Sequence, residues 1–142
     1  MAAVQRYLVM DTCAWLFHYG LGPAATVAAV RSVAAALQRH GYRLAYTSVT
    51  LREVRSSPRP EIARQRGKII QYIRRAGVRV GAGYWDLLNR ATALRVPSGK
   101  VNDAAIILVA AEPDRVWFGC DSWAARFALD QSIRTIYLNP NL

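Results

Sequence analysis

Short, wholly apolar runs alternate along this chain with longer stretches in which apolar residues recur every three or four positions. "YLVM" (7–10) predicts a buried strand. "PAATVAAVRSVAAALQRHG" (23–41) predicts a helix, with Pro23 suited to its first turn and Gly41 to its stop. "YRLAYTS" (42–48) is rich in aromatic residues and predicts a second strand. "TLREVRSS" (50–57) starts a helix that must break before Pro58 and Pro60. "EIARQRGKIIQYIRRAG" (61–77) sets Ile62, Ile69, Ile70 and Ile73 at helical spacing among arginines. "VRVG" (78–81) is a short strand. "YWDLLNRATALR" (84–95) and the apolar "NDAAIILVAAE" (102–112) are helices, followed by strand "RVWFGC" (115–120), helix "SWAARFALD" (122–130) and strand "IRTIYL" (133–138).

Strands separated by helices pair in parallel through right-handed crossovers, so the expected fold is a three-layer α/β/α sandwich around a central parallel sheet. The 142 residues suit a single domain. No apolar run is long enough to span a membrane, and no basic region leads an apolar core at the start, so the expected compartment is the cytoplasm. In such sheets, functional groups collect beyond the carboxyl ends of the strands.

That rule draws attention to the acids. Glu61, Asp86, Glu112, Asp114 and Asp130 fall at helical or turn positions that read as solvated. Asp11 ends the first strand, Glu53 lies in the first turn of the helix after the second, Asp103 opens the apolar helix, and Asp121 ends the "VWFGC" strand. These four are expected to converge on one sheet edge. Each has a simpler alternative: Glu53 stands at capping-box spacing from Thr50, Asp103 suits a helix N-terminus with Asn102 as the cap, Asp121 caps the next helix, and Asp11 starts a turn. Together they favour a cation, because clustered carboxylates repel without a counter-charge. All-oxygen ligation suits Mg²⁺ or Mn²⁺, which activate water and stabilise leaving oxygens in phosphodiester hydrolysis.

Charge sharpens the picture. Lysine and arginine number 19 against 9 acids, a net +10, and all but Lys68 and Lys100 are arginine. Such an excess favours a polyanionic partner, foremost nucleic acid. Residues 52–79 carry nine of these cations against Glu53 and Glu61. Among them Arg52, Arg55, Arg59, Arg64 and Lys68 are candidates to overhang the acidic notch and clamp RNA phosphates, with a solvated face as the alternative. Tyr72, Tyr84 and Trp85 are able to stack on bases, but their spacing assigns them to the core. Cys13 and Cys120 flank the first and last acids; two thiols are too few for a disulfide scaffold or a four-cysteine zinc site and read as unpaired core residues.

The order "DT" (11–12), "TLRE" (50–53), "NDAAIILVAA" (102–111) and "GCDSWAARFA" (119–128) resembles the PIN-domain nucleases, most closely the VapC-type toxin ribonucleases, from Tyr7 to Leu138. The resemblance implies a divalent-cation-dependent ribonuclease in which Asp11, Glu53, Asp103 and Asp121 hold the metal. Thr12 matches the hydroxyl residue that orients the first aspartate or a water, and Asn102 is a further supporting residue. It also implies a homodimer silenced by a cognate antitoxin protein. The chain departs from the pattern at Cys13, where asparagine is common, at Gly119, where threonine or serine is common, and at Trp123, where a further acid is common. A non-toxin RNA-processing nuclease and a non-catalytic RNA-binding module are the alternative readings.

Overall fold

A computed structural model describes residues 4–141. Five parallel strands form one sheet: β1 (Arg6–Met10), β2 (Tyr42–Tyr46), β3 (Val78–Arg79), β4 (Arg115–Gly119) and β5 (Thr135–Tyr137). Their order is β3-β2-β1-β4-β5. Eight helices cover the two faces: α1 (Thr12–Tyr19), α2 (Ala24–Arg39), α3 (Ser48–Ser56), α4 (Pro60–Ala63), α5 (Arg66–Ala76), α6 (Tyr84–Ala93), α7 (Val101–Val109) and α8 (Ser122–Asp130). The three-layer α/β/α sandwich expected from the sequence is therefore present. Among the described residues no single helix is long and apolar enough to cross a membrane.

The strands are apolar on both sides because both sides are covered. Leu8, Met10, Leu44, Tyr46, Val116 and Phe118 face one core with Trp15, Val30, Ile69 and Ile73. Their alternates Val9, Ala45 and Trp117 face a second core with Leu87, Ile106, Ile107 and Ala124. The period-2 alternation of a strand thus divides each one between two cores. Trp15 is fully buried and ties α1 to β2 through an indole N–H donated to the Ala45 carbonyl at 3.1 Å.

Three elements differ from the sequence expectation. α1 was not foreseen, because "TCAWLFHY" is apolar almost all round and carries no helical period. α3 starts two residues early, at Ser48, where the Thr47 hydroxyl accepts from the Thr50 amide at 3.3 Å. The stretch 61–77 is two helices rather than one. It breaks at Gln65 (φ −138°, ψ 27°), whose side chain accepts from the Tyr19 hydroxyl and donates to the Glu61 carbonyl. Beyond the break, the Arg66 guanidinium donates to the carbonyls of Val54 and Ser57 and so fastens α5 to the end of α3.

The sheet order places the functional edge. From β1 the chain steps to β2 on one side, while β4 pairs on the other, so β1 and β4 mark the point where the winding reverses. A crevice opens beyond the carboxyl ends at such a point. Gly119, at the end of β4, has no side chain for a steric reason: a Cβ there would overlap the Trp117 indole and the Asp11 carboxylate. Gly67, in the first turn of α5, has only open space beside it. Urea unfolding should therefore show Gly119→Ala losing about 1–3 kcal/mol by overpacking, whereas Gly67→Ala gains up to about 1 kcal/mol from helix propensity. Equal effects at the two glycines would contradict this packing.

Candidate active site

Asp11, Glu53, Asp103 and Asp121 line one cleft of about 480 Å³ at the carboxyl edge of the sheet, together with Thr12, Asn102, Ser56, Ser57 and Arg59. The convergence expected from the sequence is present in the structure, across chain separations that only the sheet closes.

Two of the four also cap helices, which was the simpler alternative for Asp121, whereas Asp11 was expected to start a turn. Asp11 caps α1: its Oδ1 accepts from the Ala14 amide at 2.9 Å and from the Cys13 thiol at 3.1 Å. Asp121 caps α8, its Oδ2 accepting from the Ala124 amide at 2.8 Å. In each case the second carboxylate oxygen accepts no hydrogen bond from a described residue, so the cap leaves one oxygen available to the cleft.

Glu53 is not a capping-box residue. It lies in the second turn of α3, where it accepts from the Thr12 hydroxyl at 2.5 Å and where the nearby Asn102 side chain favours its charged form. Thr12 therefore orients Glu53 rather than Asp11, one of its two expected partners. Asn102 is not a cap either: α7 begins at Val101, and Asn102 reaches across to Glu53 while Asp103 occupies the first turn. The two supporting residues thus act on the same glutamate, from opposite sides of the sheet edge.

Burial dominates the electrostatics. Asp11, only 8% exposed, has its pKa pushed up to about 7. Desolvation is the main cause, the amide and thiol donors oppose it, and the charges of Asp103 and Glu53 add to it. Glu53 is raised chiefly by burial, against the bond from Thr12. Asp103 is raised by burial and by Asp121, and Lys100 partly offsets both. The Lys100 ammonium lies 5.5 Å above the Trp123 ring, which is stacked on Phe127. Sequence reading did not single out Lys100; its position three before Asp103 was the available signal.

Among the described residues, no three His, Cys, Asp or Glu side chains are gathered tightly enough to hold an ion unaided. The cysteines are free. Hydrogen bonding with Cys120, then burial, keeps the Cys13 thiol protonated far above the ordinary range.

The basic residues do not all overhang the cleft. Arg59 lines it and is paired with Glu61 at 2.6 Å. Arg52 is exposed with its guanidinium 4.8 Å from the Tyr84 ring centroid. Arg64 donates to the Pro60 carbonyl, and Lys68 is exposed on α5. Arg55 lies outside the cleft, in a groove with Arg74 and Arg75. The assignment of three aromatics to the core also needs correction. Tyr72 is half-buried and bonded to His18, and Tyr84 is half-buried, but Trp85 is 67% exposed. Its ring stands edge-on to Tyr84, 5.0 Å between centroids, on the outer side of α6.

No protein-family model matches this chain, and no curated protein matches it.

The raised pKa of Asp11 sets a pH dependence. The folded protein holds this proton to about pH 7, whereas the unfolded chain releases it near 3.8. Between those values the folded state binds more protons, so stability falls as pH rises through the interval, by on the order of 4 kcal/mol. Asp11→Asn keeps a capping oxygen and removes the charge. In EDTA it should raise Tm at pH 8 and leave it nearly unchanged at pH 4. An equal shift at both pH values would show that Asp11 titrates normally.

Proposed function

We propose that this chain is a divalent-cation-dependent endoribonuclease of PIN type, and that it serves as the toxin of a toxin–antitoxin pair. The observation that carries the reading is the cleft itself: four carboxylates, three of them raised by burial, open into a surface of net charge +10. The resemblance of the four motifs to the PIN-domain nucleases agrees with that chemistry.

The donor set fits Mg²⁺ or Mn²⁺. It is all oxygen, it leaves one oxygen of Asp11 and one of Asp121 without a hydrogen bond among the described residues, and ion pairs within 4 Å neutralise none of the four acids. Since no three of these side chains gather around one point among the described residues, the ion would take one or two carboxylates directly and keep several waters. When bound, the ion supplies Lewis acidity toward the phosphate oxygens.

The chain's own residues do the rest. Asp11 and Asp121 are held by their helix caps at the ends of adjacent strands, so each points an oxygen into the cleft with little freedom. Thr12 and Asn102 fix the Glu53 carboxylate. Arg59 is placed to hold a phosphodiester oxygen beside the acids, and Ser56 and Ser57 offer hydroxyls on the same wall. By the same resemblance, a homodimer and an antitoxin that fills this cleft complete the system in the cell.

The wide spacing of the acids also favours a second reading, an RNA-binding module without catalysis. One experiment separates the two. Cleavage of a mixed RNA panel is measured with Mg²⁺, with Mn²⁺ and with EDTA. The wild type should cut only with metal, and Asp11→Asn and Asp103→Asn should lose about 10²-fold or more. Thr12→Val, which frees Glu53, should lose roughly 10–100-fold, and added metal should restore part of it. RNA binding that is indifferent to EDTA, with no cutting by any protein, would establish the non-catalytic reading instead. Growth arrest on expression, relieved by Asp11→Asn, would separate a toxin from an RNA-processing nuclease.

A further inference from the structure

The groove between α3 and α5 is a second candidate site, and the acidic cleft does not account for it. It encloses about 600 Å³ and is lined by Arg55, Gly67, Ile70, Gln71, Arg74 and Arg75. It shares no lining residue with the cleft. All three arginines are exposed, no carboxylate lines the groove, and none of the three forms an ion pair among the described residues.

Helix dipoles explain part of this. Arg55 lies in the last turn of α3, and Arg74 and Arg75 lie in the last turn of α5, where cations are favoured. The dipoles reduce the mutual repulsion of three guanidinium groups. They do not explain why two helix ends direct them into one concavity with no acid to balance them. A second copy of the chain is a poor occupant, since two such grooves face to face would repel. The planar forks suit phosphate oxygens, and Gln71 adds a neutral polar side chain to the same wall.

We propose that this groove binds the phosphodiester backbone of the RNA at a distance from the cut, as an exosite for long substrates; the proposal rests on the ribonuclease reading above. Glu53 and Arg55 are two residues apart, so they project from nearly opposite sides of α3, one into the cleft and the other into the groove. A strand reaching both sites must pass around a helix about 10 Å across. Short oligonucleotides therefore fill the cleft alone, and longer RNA engages both sites.

The test compares a short oligonucleotide that fills only the cleft with a longer RNA containing the same cut site. The triple variant Arg55→Gln, Arg74→Gln, Arg75→Gln should raise KM for the longer RNA roughly tenfold or more and leave kcat and KM for the short one unchanged. Binding of the longer RNA, measured in the Asp11→Asn background, should show a log–log salt slope smaller by about 2, three single-strand phosphates at about 0.7 each. Gly67→Glu gives a second route, because it sets a carboxylate in the groove where a Cβ meets nothing and improves helix propensity. It should weaken binding of the longer RNA while Tm holds or rises. Equal weakening toward both RNAs, no weakening toward either, or competition by an acidic peptide without loss of RNA binding would overturn the exosite. Failure of the wild type to bind or cut either RNA would overturn the ribonuclease reading beneath it.

Discussion

The Asp11 carboxylate stands at the end of the central strand, nearly closed off from water and in no ion pair with a described residue, and much of the surrounding structure is arranged around it. One of its oxygens starts α1 by accepting the Ala14 amide, so the first helix and the first acid of the cleft depend on the same group. The Cys13 thiol adds a second donor to that oxygen. Gly119 on the neighbouring strand leaves room for the other oxygen. A hydroxyl side chain at 119 has no space here beside the Trp117 indole.

Keeping such a carboxylate opposes folding at neutral pH, since desolvation raises its pKa and the neighbouring charges of Asp103 and Glu53 add to the strain. Proteins seldom retain an uncompensated group of this kind for stability alone. A bound cation would relieve all of these contributions at once.

The cationic surface divides into parts with different surroundings. Arg59 belongs to the cleft and is tempered by Glu61, Arg52 lies against Tyr84, and Arg66 is structural, fastening α5 to the end of α3. Arg55, Arg74 and Arg75 gather elsewhere. A run that reads in sequence as one basic arm is distributed by two helices and a break at Gln65 onto separate faces.

The sequence by itself determined the layer architecture, because continuous apolar runs between helical stretches leave a covered parallel sheet as the economical way to bury them. It also indicated which acids meet: Asp11 and Asp121 end strands, while Glu53 and Asp103 lie in the early turns of helices that start at the same edge of the sheet. What it did not determine depends on contacts between distant segments. α1 carries no period because apolar residues lie on nearly every side of it. Thr12 serves Glu53 and not its own neighbour, since the hydroxyl direction is set by where α3 packs. Asn102 has the composition of a cap, but α7 starts one residue before it. Trp85 faces outward, and Arg55 turns away from the cleft, because a helix's rotation about its axis is decided by its partners across the layer. Local pattern specifies where an element lies along the chain, whereas the tertiary structure decides which way each side chain faces and what it touches.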